Sequence, residues 1–136
     1  MSASSRRPLV LLLAGDELTR RISTSCLEAF DYEVVSARTA EEAERLLLSL
    51  NGTRRVDVVI TDADVRDAVD GLSLATVARC LDPSVHVIYT ARLPYRIPEA
   101  KKVTGAPCLR TPYHGHQLVG LIGGLRLPAT GNRAAA

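Results

Sequence analysis

Five short runs of aliphatic and β-branched residues, Leu9–Ala14, Tyr32–Ala37, Val56–Thr61, Val85–Thr90 and Pro107–Arg110, alternate along the chain with segments of helical spacing. Runs this short that are apolar at successive positions suit strands buried on both faces. Between them apolar residues recur three or four apart, as in Leu18, Ile22 and Cys26, then Ala43, Leu47 and Leu50, then Leu74, Ala78 and Leu81. Such stripes belong to helices laid on a sheet. Strand–helix alternation with right-handed crossovers leaves few topologies, and the one expected is a doubly wound five-stranded parallel sheet of order 2-1-3-4-5, flavodoxin-like in class. Sheets of this kind bind ligands beyond the carboxyl ends of the strands, where the winding reverses between strands one and three. Asp16 and Asp62 fall there.

The best-marked boundary is Thr39 followed by Glu42, a capping box in which each side chain satisfies an amide left orphaned at a helix start. The fourth crossover is poorly marked. Pro94 and Pro98 interrupt it and leave room for at most a short helix beginning near the second proline. The last helix, about 116–125, carries the stripe Leu118, Ile122 and Leu125, while Gly120, Gly123 and Gly124 each cost on the order of 1 kcal/mol relative to alanine. Docking must hold it. Residues 1–7 and 127–136 offer no periodic apolar face and are expected to be disordered tails on a single domain over 8–126.

At 136 residues, 46% hydrophobic and 24% charged, the chain can bury one sizeable core, which must be aliphatic because it holds one Phe and no Trp. A net charge of +2 with scattered basic residues argues against nucleic acid as a partner. Leu9–Leu13 is too short for a membrane span and is soon followed by Asp16 and Glu17, so a soluble, cytoplasmic protein is expected. Cys26, Cys80 and Cys108 are odd in number, lack metal-ligand spacing and lie in apolar segments, which suits buried free thiols.

The stretch ValAspValValIleThrAsp ends the third strand on Asp62, and Asp70-Gly71 opens a helix after a short loop. Together with Thr90-Ala91 at the end of the fourth strand and ArgThrProTyr after the fifth, this resembles the receiver domains of response regulators in two-component signalling, over roughly residues 8–126. The resemblance implies that Asp62 is the phosphoacceptor and that Thr90 contacts the phosphoryl oxygens. It also implies a site for Mg²⁺ at an acidic pair after the first strand, and a lysine after the fifth. Hard oxygen donors and a cation are what an arriving phosphoryl group requires, since its negative charge must be neutralised.

Here the pattern departs from the family's. Ala14 and Gly15 align with the acidic pair, Thr111 stands at the lysine, and Cys108 at the usual aromatic switch residue. A one-residue shift of the loop at Gly15 would bring Asp16 to the metal with Asp62; otherwise Asp16 caps the first helix. Phosphorylation and Mg²⁺ binding should both be weakened. Thr111, like Thr90, is a candidate phosphoryl contact. Arg66, Arg92 and Arg110 are other cations near the same rim, and Asp64 is read as a loop charge without a role.

Bland readings stand beside these. Asp62 could be a solvated strand-end carboxylate, His114 and His116 do not share a helical face and read as surface residues, and packing explains Tyr113. The resemblance implies a non-enzymatic signalling protein that meets a histidine kinase or phosphotransfer protein. Its alternative is a phosphate-independent pseudo-receiver, which keeps the surface of the fourth and fifth helices for a downstream protein partner or for self-association. A flavin or nucleotide enzyme is disfavoured, because AlaGlyAspGlu after the first strand supplies one glycine beside two repelling carboxylates.

Overall fold

The computed structural model describes residues 7–125 and 127. The expected disordered tails otherwise lie outside the described residues. Of those tail positions, the Arg7 carbonyl accepts a bond from Arg54 Nη2 at 2.7 Å and Leu127 packs against the core. The elements are β1 (Leu9–Leu13), α1 (Glu17–Ala29), β2 (Glu33–Ala37), α2 (Ala40–Leu50), β3 (Val58–Asp62), α3 (Gly71–Leu81), β4 (His86–Ala91), β5 (Cys108–Arg110) and α4 (Gly115–Gly123). All strand pairs are parallel and the order is β2-β1-β3-β4-β5, the doubly wound sheet expected from the sequence.

Alternation along the strands divides the core in two. Leu9, Leu11 and Leu13 of β1, Val59 of β3 and Val87 and Tyr89 of β4 face Ala43 and Leu47 of α2 and Leu74 and Ala78 of α3. Val10, Leu12, Val58, Ile60 and Ile88 face Leu27 of α1 and Leu118 and Ile122 of α4. Both sheet faces are thus covered, which is why the strands read as continuous apolar runs. The Thr39 cap of α2 is formed, its Oγ1 accepting the Glu42 amide at 3.1 Å while Glu42 Oε1 accepts the Arg38 amide at 3.0 Å.

Three expectations need correction. In α1 the stripe of Leu18 and Ile22 is not the core face: they are 63% and 51% exposed, and Ser23 and Leu27 are buried instead. The helix is rotated by about one residue, which turns Ser23 inward, where its Oγ shares a 2.9 Å hydrogen bond with the Tyr113 hydroxyl. The second expectation to correct is the partner surface drawn from a fourth helix, since the fourth crossover, where the prolines leave room for at most a short helix, holds no α-helix. It makes two 3₁₀ turns, Pro94–Arg96 and Glu99–Lys101, since each proline lacks an amide to continue a ladder. A surface of fourth and fifth helices is therefore reduced to α4 beside irregular chain. Finally, the thiols are free, but Cys80 is exposed and Cys26 and Cys108 are half-buried.

The chain between the second 3₁₀ turn and β5 is tied down by Tyr89, whose fully buried hydroxyl accepts the Val103 amide at 2.9 Å. Tyr89→Phe leaves that amide unpaired and should cost about 1–2 kcal/mol in urea unfolding. A loss within about 0.3 kcal/mol of zero, well below that range, would show that the bond contributes nothing. Among the described residues, no helix is long and apolar enough to cross a membrane.

Candidate phosphoacceptor rim

The carboxyl ends of β1, β3, β4 and β5 form one rim, and Asp62 sits at its centre as the last residue of β3. Each carboxylate oxygen accepts a backbone amide: Oδ2 from Gly15 at 3.2 Å and Oδ1 from Asp64 at 2.9 Å. Burial is the largest influence on this acid and pushes its pKa above the usual carboxylate value, against the pull of those two amides. Asp64 adds repulsion and Arg92 attraction.

The sign of this shift makes a prediction. An acid whose pKa is raised by folding carries no penalty below its unfolded value, near 4, and a growing one as pH rises through the folded value. Asp62→Asn should therefore raise Tm at pH 7, by about 2–4 °C because the rim is partly solvated, and leave it unchanged near pH 3. A lower Tm at pH 7 would mean that the carboxylate stabilises the fold.

Thr90 lies beside Asp62, as its register partner on β4, and its carbonyl accepts the Ala63 amide at 2.8 Å. The Thr90 side chain is almost fully buried at the strand end. Thr111 follows β5 directly; its amide donates to the Ala91 carbonyl at 2.9 Å, which holds it at the same end of the sheet. The Thr111–Pro112 peptide is cis. Arg110 is exposed on the last position of β5.

Asp16 is turned elsewhere. It is the N-cap of α1, where Oδ2 accepts the Thr19 amide at 2.8 Å and the Thr19 hydroxyl at 2.7 Å. The hydroxyl bond and then the amide bond hold its pKa below the usual value. At the position of an acidic pair, Ala14 brings only a carbonyl, and Arg20 Nη1 already donates to it at 2.9 Å. Among the described residues, no three His, Cys, Asp or Glu side chains converge on a point that could hold a metal. One free carboxylate and a carbonyl occupied by a guanidinium do not fit the donor set that Mg²⁺ requires.

Gly71 explains the Asp-Gly at the start of α3. A Cβ there would fall inside the van der Waals shell of the Asp62 carbonyl, so only glycine lets the helix start this close to β3. Thr61 Oγ1 fastens the approach by donating to the Gly71 carbonyl at 2.7 Å, and Asp70 caps the helix through the Ser73 amide at 2.8 Å. Cys108 lies next to Tyr89 in the sheet register. His114 and His116 are exposed, the first bonded through its amide to Gln117 Oε1 at 2.8 Å and the second edge-on to Phe30, with ring centroids 6.3 Å apart.

Sequence reasoning missed the part played by Asp64. Its Oδ2 accepts the Arg92 amide at 3.0 Å and faces the Arg92 Nε at 3.6 Å, joining the loop after β3 to the loop after β4. The sequence held no local signal for it: the pairing of Asp62 with Thr90 brings the chain beyond the two strands together, and Asp64 meets Arg92 there.

No protein-family model matches the sequence, and no curated protein matches it. Solved structures do. A response regulator receiver protein from Sinorhizobium medicae WSM419 superposes with a TM-score of 0.75 at 22% identity, over 86% of this chain and 92% of its own. The chemotaxis protein CheY4 of Vibrio cholerae gives 0.72 at 20% identity, over 86% and 97%. A CheY-like receiver domain protein from Methanospirillum hungatei JF-1 gives 0.70 at 21%, over 86% and 91%. The chain has the fold of these receiver domains across nearly all of its described length.

Proposed function

We propose that this receiver-fold chain is a signalling protein of the two-component type whose phosphoacceptor is Asp62, working with a weakened neutralising shell. One observation carries the reading: a half-buried aspartate at the carboxyl end of the central strand, with its register partner Thr90 beside it and glycine clearing the space behind. In the transfer, an Asp62 oxygen forms a bond to the phosphorus of a histidine kinase, a phosphotransfer protein or a small donor. The bond from phosphorus to the donor's nitrogen or oxygen breaks, and its electron pair leaves with the donor. In this reading the Gly15 and Asp64 amides orient the attacking carboxylate, and the hydroxyls of Thr90 and Thr111 are its candidate donors to the phosphoryl oxygens.

Charge is what this rim lacks. Without a lysine at 111 and without a second free carboxylate for Mg²⁺, the arriving charge meets few compensating groups, so labelling should be slow. The test is the mass of the purified chain after incubation with Mg²⁺ and acetyl phosphate, Asp62→Asn serving as blank. A slow gain of one phosphoryl group, absent from the blank, is the expected result. No gain at any donor concentration would leave the pseudo-receiver reading, in which the fold binds a protein partner or a second copy without phosphate. The solvent-facing Leu18 and Ile22 of α1 favour a protein contact in either case.

A further inference from the structure

A cavity of about 490 Å³ opens beside the phosphoacceptor, between the loop after β3 and the first 3₁₀ turn after β4, and Asp62 does not line it. Its polar lining is three arginines and one aspartate: Arg66, Arg92, Arg96 and Asp64. Only Arg92 has an ionic partner there, Asp64, across 3.6 Å. Among the described residues, Arg66 and Arg96 make no side-chain hydrogen bond or ion pair. Three guanidiniums less one carboxylate leave the lining with a formal excess of two positive charges.

We propose that this cavity binds a phosphate monoester dianion carrying a small apolar group. The charge excess equals that of the dianion, where a carboxylate would bring only one charge, and guanidinium forks match phosphate oxygens in pairs, which a hydrated ammonium does less well. Leu72, Leu93 and Ile97 line the same cavity, so part of a ligand larger than bare phosphate meets apolar surface. All three arginines are exposed, so water screens their mutual repulsion, and an anion that bridges them from the cavity adds direct bonds to charges that only one carboxylate offsets. Asp64 is the built-in competitor. Its carboxylate occupies Arg92, and a bound dianion would draw that guanidinium away.

The site does not depend on phosphoryl transfer to Asp62, and the test separates the two. Phenyl phosphate is titrated at pH 8 into the ¹⁵N-labelled Asp62→Asn chain, which has no phosphoacceptor, with inorganic phosphate and phenyl sulfate as comparisons. Saturable amide shifts should centre on residues 64–66 and 91–97. Phenyl phosphate should bind more tightly than phosphate, which lacks the apolar body, and than phenyl sulfate, which carries one charge. Arg66→Ala and Arg96→Ala should each weaken it by at least about fivefold, and Asp64→Asn should tighten it by removing the competitor. The spectra also report whether each variant is folded. Shifts centred on Gly15, residue 62 and Thr90, equal binding of phenyl sulfate, folded arginine variants with unchanged affinity, or weaker binding by Asp64→Asn would each overturn the proposal.

Discussion

Thr111→Lys is expected to raise acetyl phosphate labelling of Asp62 by about 10²-fold, the usual worth of one preorganised charge in a transfer reaction. Residue 111 is held to the Ala91 carbonyl at the end of the sheet, one strand beyond Thr90, so a lysine there starts from the right rim. Its four-carbon stem reaches where a threonine hydroxyl does not, and it brings the charge that the rim lacks. Gly15→Asp restores a different part. A Cβ on residue 15 would lie 3.8 Å from Asp62 Oδ2 and 3.3 Å from the Val65 Cγ2 methyl, which has only to give slightly.

A carboxylate placed there acts with opposite signs in two conditions. In chelator it repels Asp62 and should raise that group's pKa further, slowing attack; with millimolar Mg²⁺ the two carboxylates become a hard-oxygen pair and labelling should rise. The double variant should exceed the product of the single effects, since both changes neutralise the same developing charge. Efficient labelling of the parent that neither repair alters would refute the weakened-shell reading. Asp62 would then be an ordinary acceptor served by another cation, and Arg92, which already attracts it, would be the first to replace.

Gly71→Ala should cost about 2 kcal/mol of stability and disturb Asp62 at the same time. The added methyl meets the Asp62 backbone carbonyl, and neither that carbonyl nor the start of α3 can move alone, because Thr61 ties the two together. Overpacking of this kind costs about 1–3 kcal/mol or more, of which the better helix propensity of alanine offsets up to about 1. Asp70→Ala is the control: it removes only the cap, for about 1 kcal/mol, and leaves the space behind Asp62 clear. Urea unfolding measures both. A Gly71→Ala stability within about 0.5 kcal/mol of the parent, the size of an ordinary surface substitution, would mean that helix and strand separate freely.

Much of the architecture is legible in the chain because its signals are local. Strands buried on both faces must be apolar throughout, and β1, β3 and β4 announce themselves in Leu9–Leu13, Val58–Ile60 and Val87–Tyr89. Thr39 and Asp70 mark helix starts through residues three positions away, and the two prolines of the fourth crossover forbid a long helix whatever surrounds them. Asp62 at the end of the central strand follows from these, since strand order alone brings β1 and β3 together at the switch point.

Tertiary structure decided what depended on orientation. Leu18 and Ile22 have the same spacing as a core stripe, and the helix is turned instead toward Ser23 and Leu27, because the contact with Tyr113, ninety residues away in sequence, has no local signal. Cys80 has the apolar neighbours of a buried thiol, yet its place on α3 faces solvent. Asp16 and Asp64 are both loop carboxylates in the sequence. Asp16 takes the local cap on Thr19 that its place before a helix allows, whereas Asp64 meets Arg92, twenty-eight residues on, only because the ends of β3 and β4 lie side by side. Residue type and spacing determine which groups reach the rim, but the direction of each side chain follows from neighbours supplied by other strands and helices, and those are set only when the sheet has closed its register.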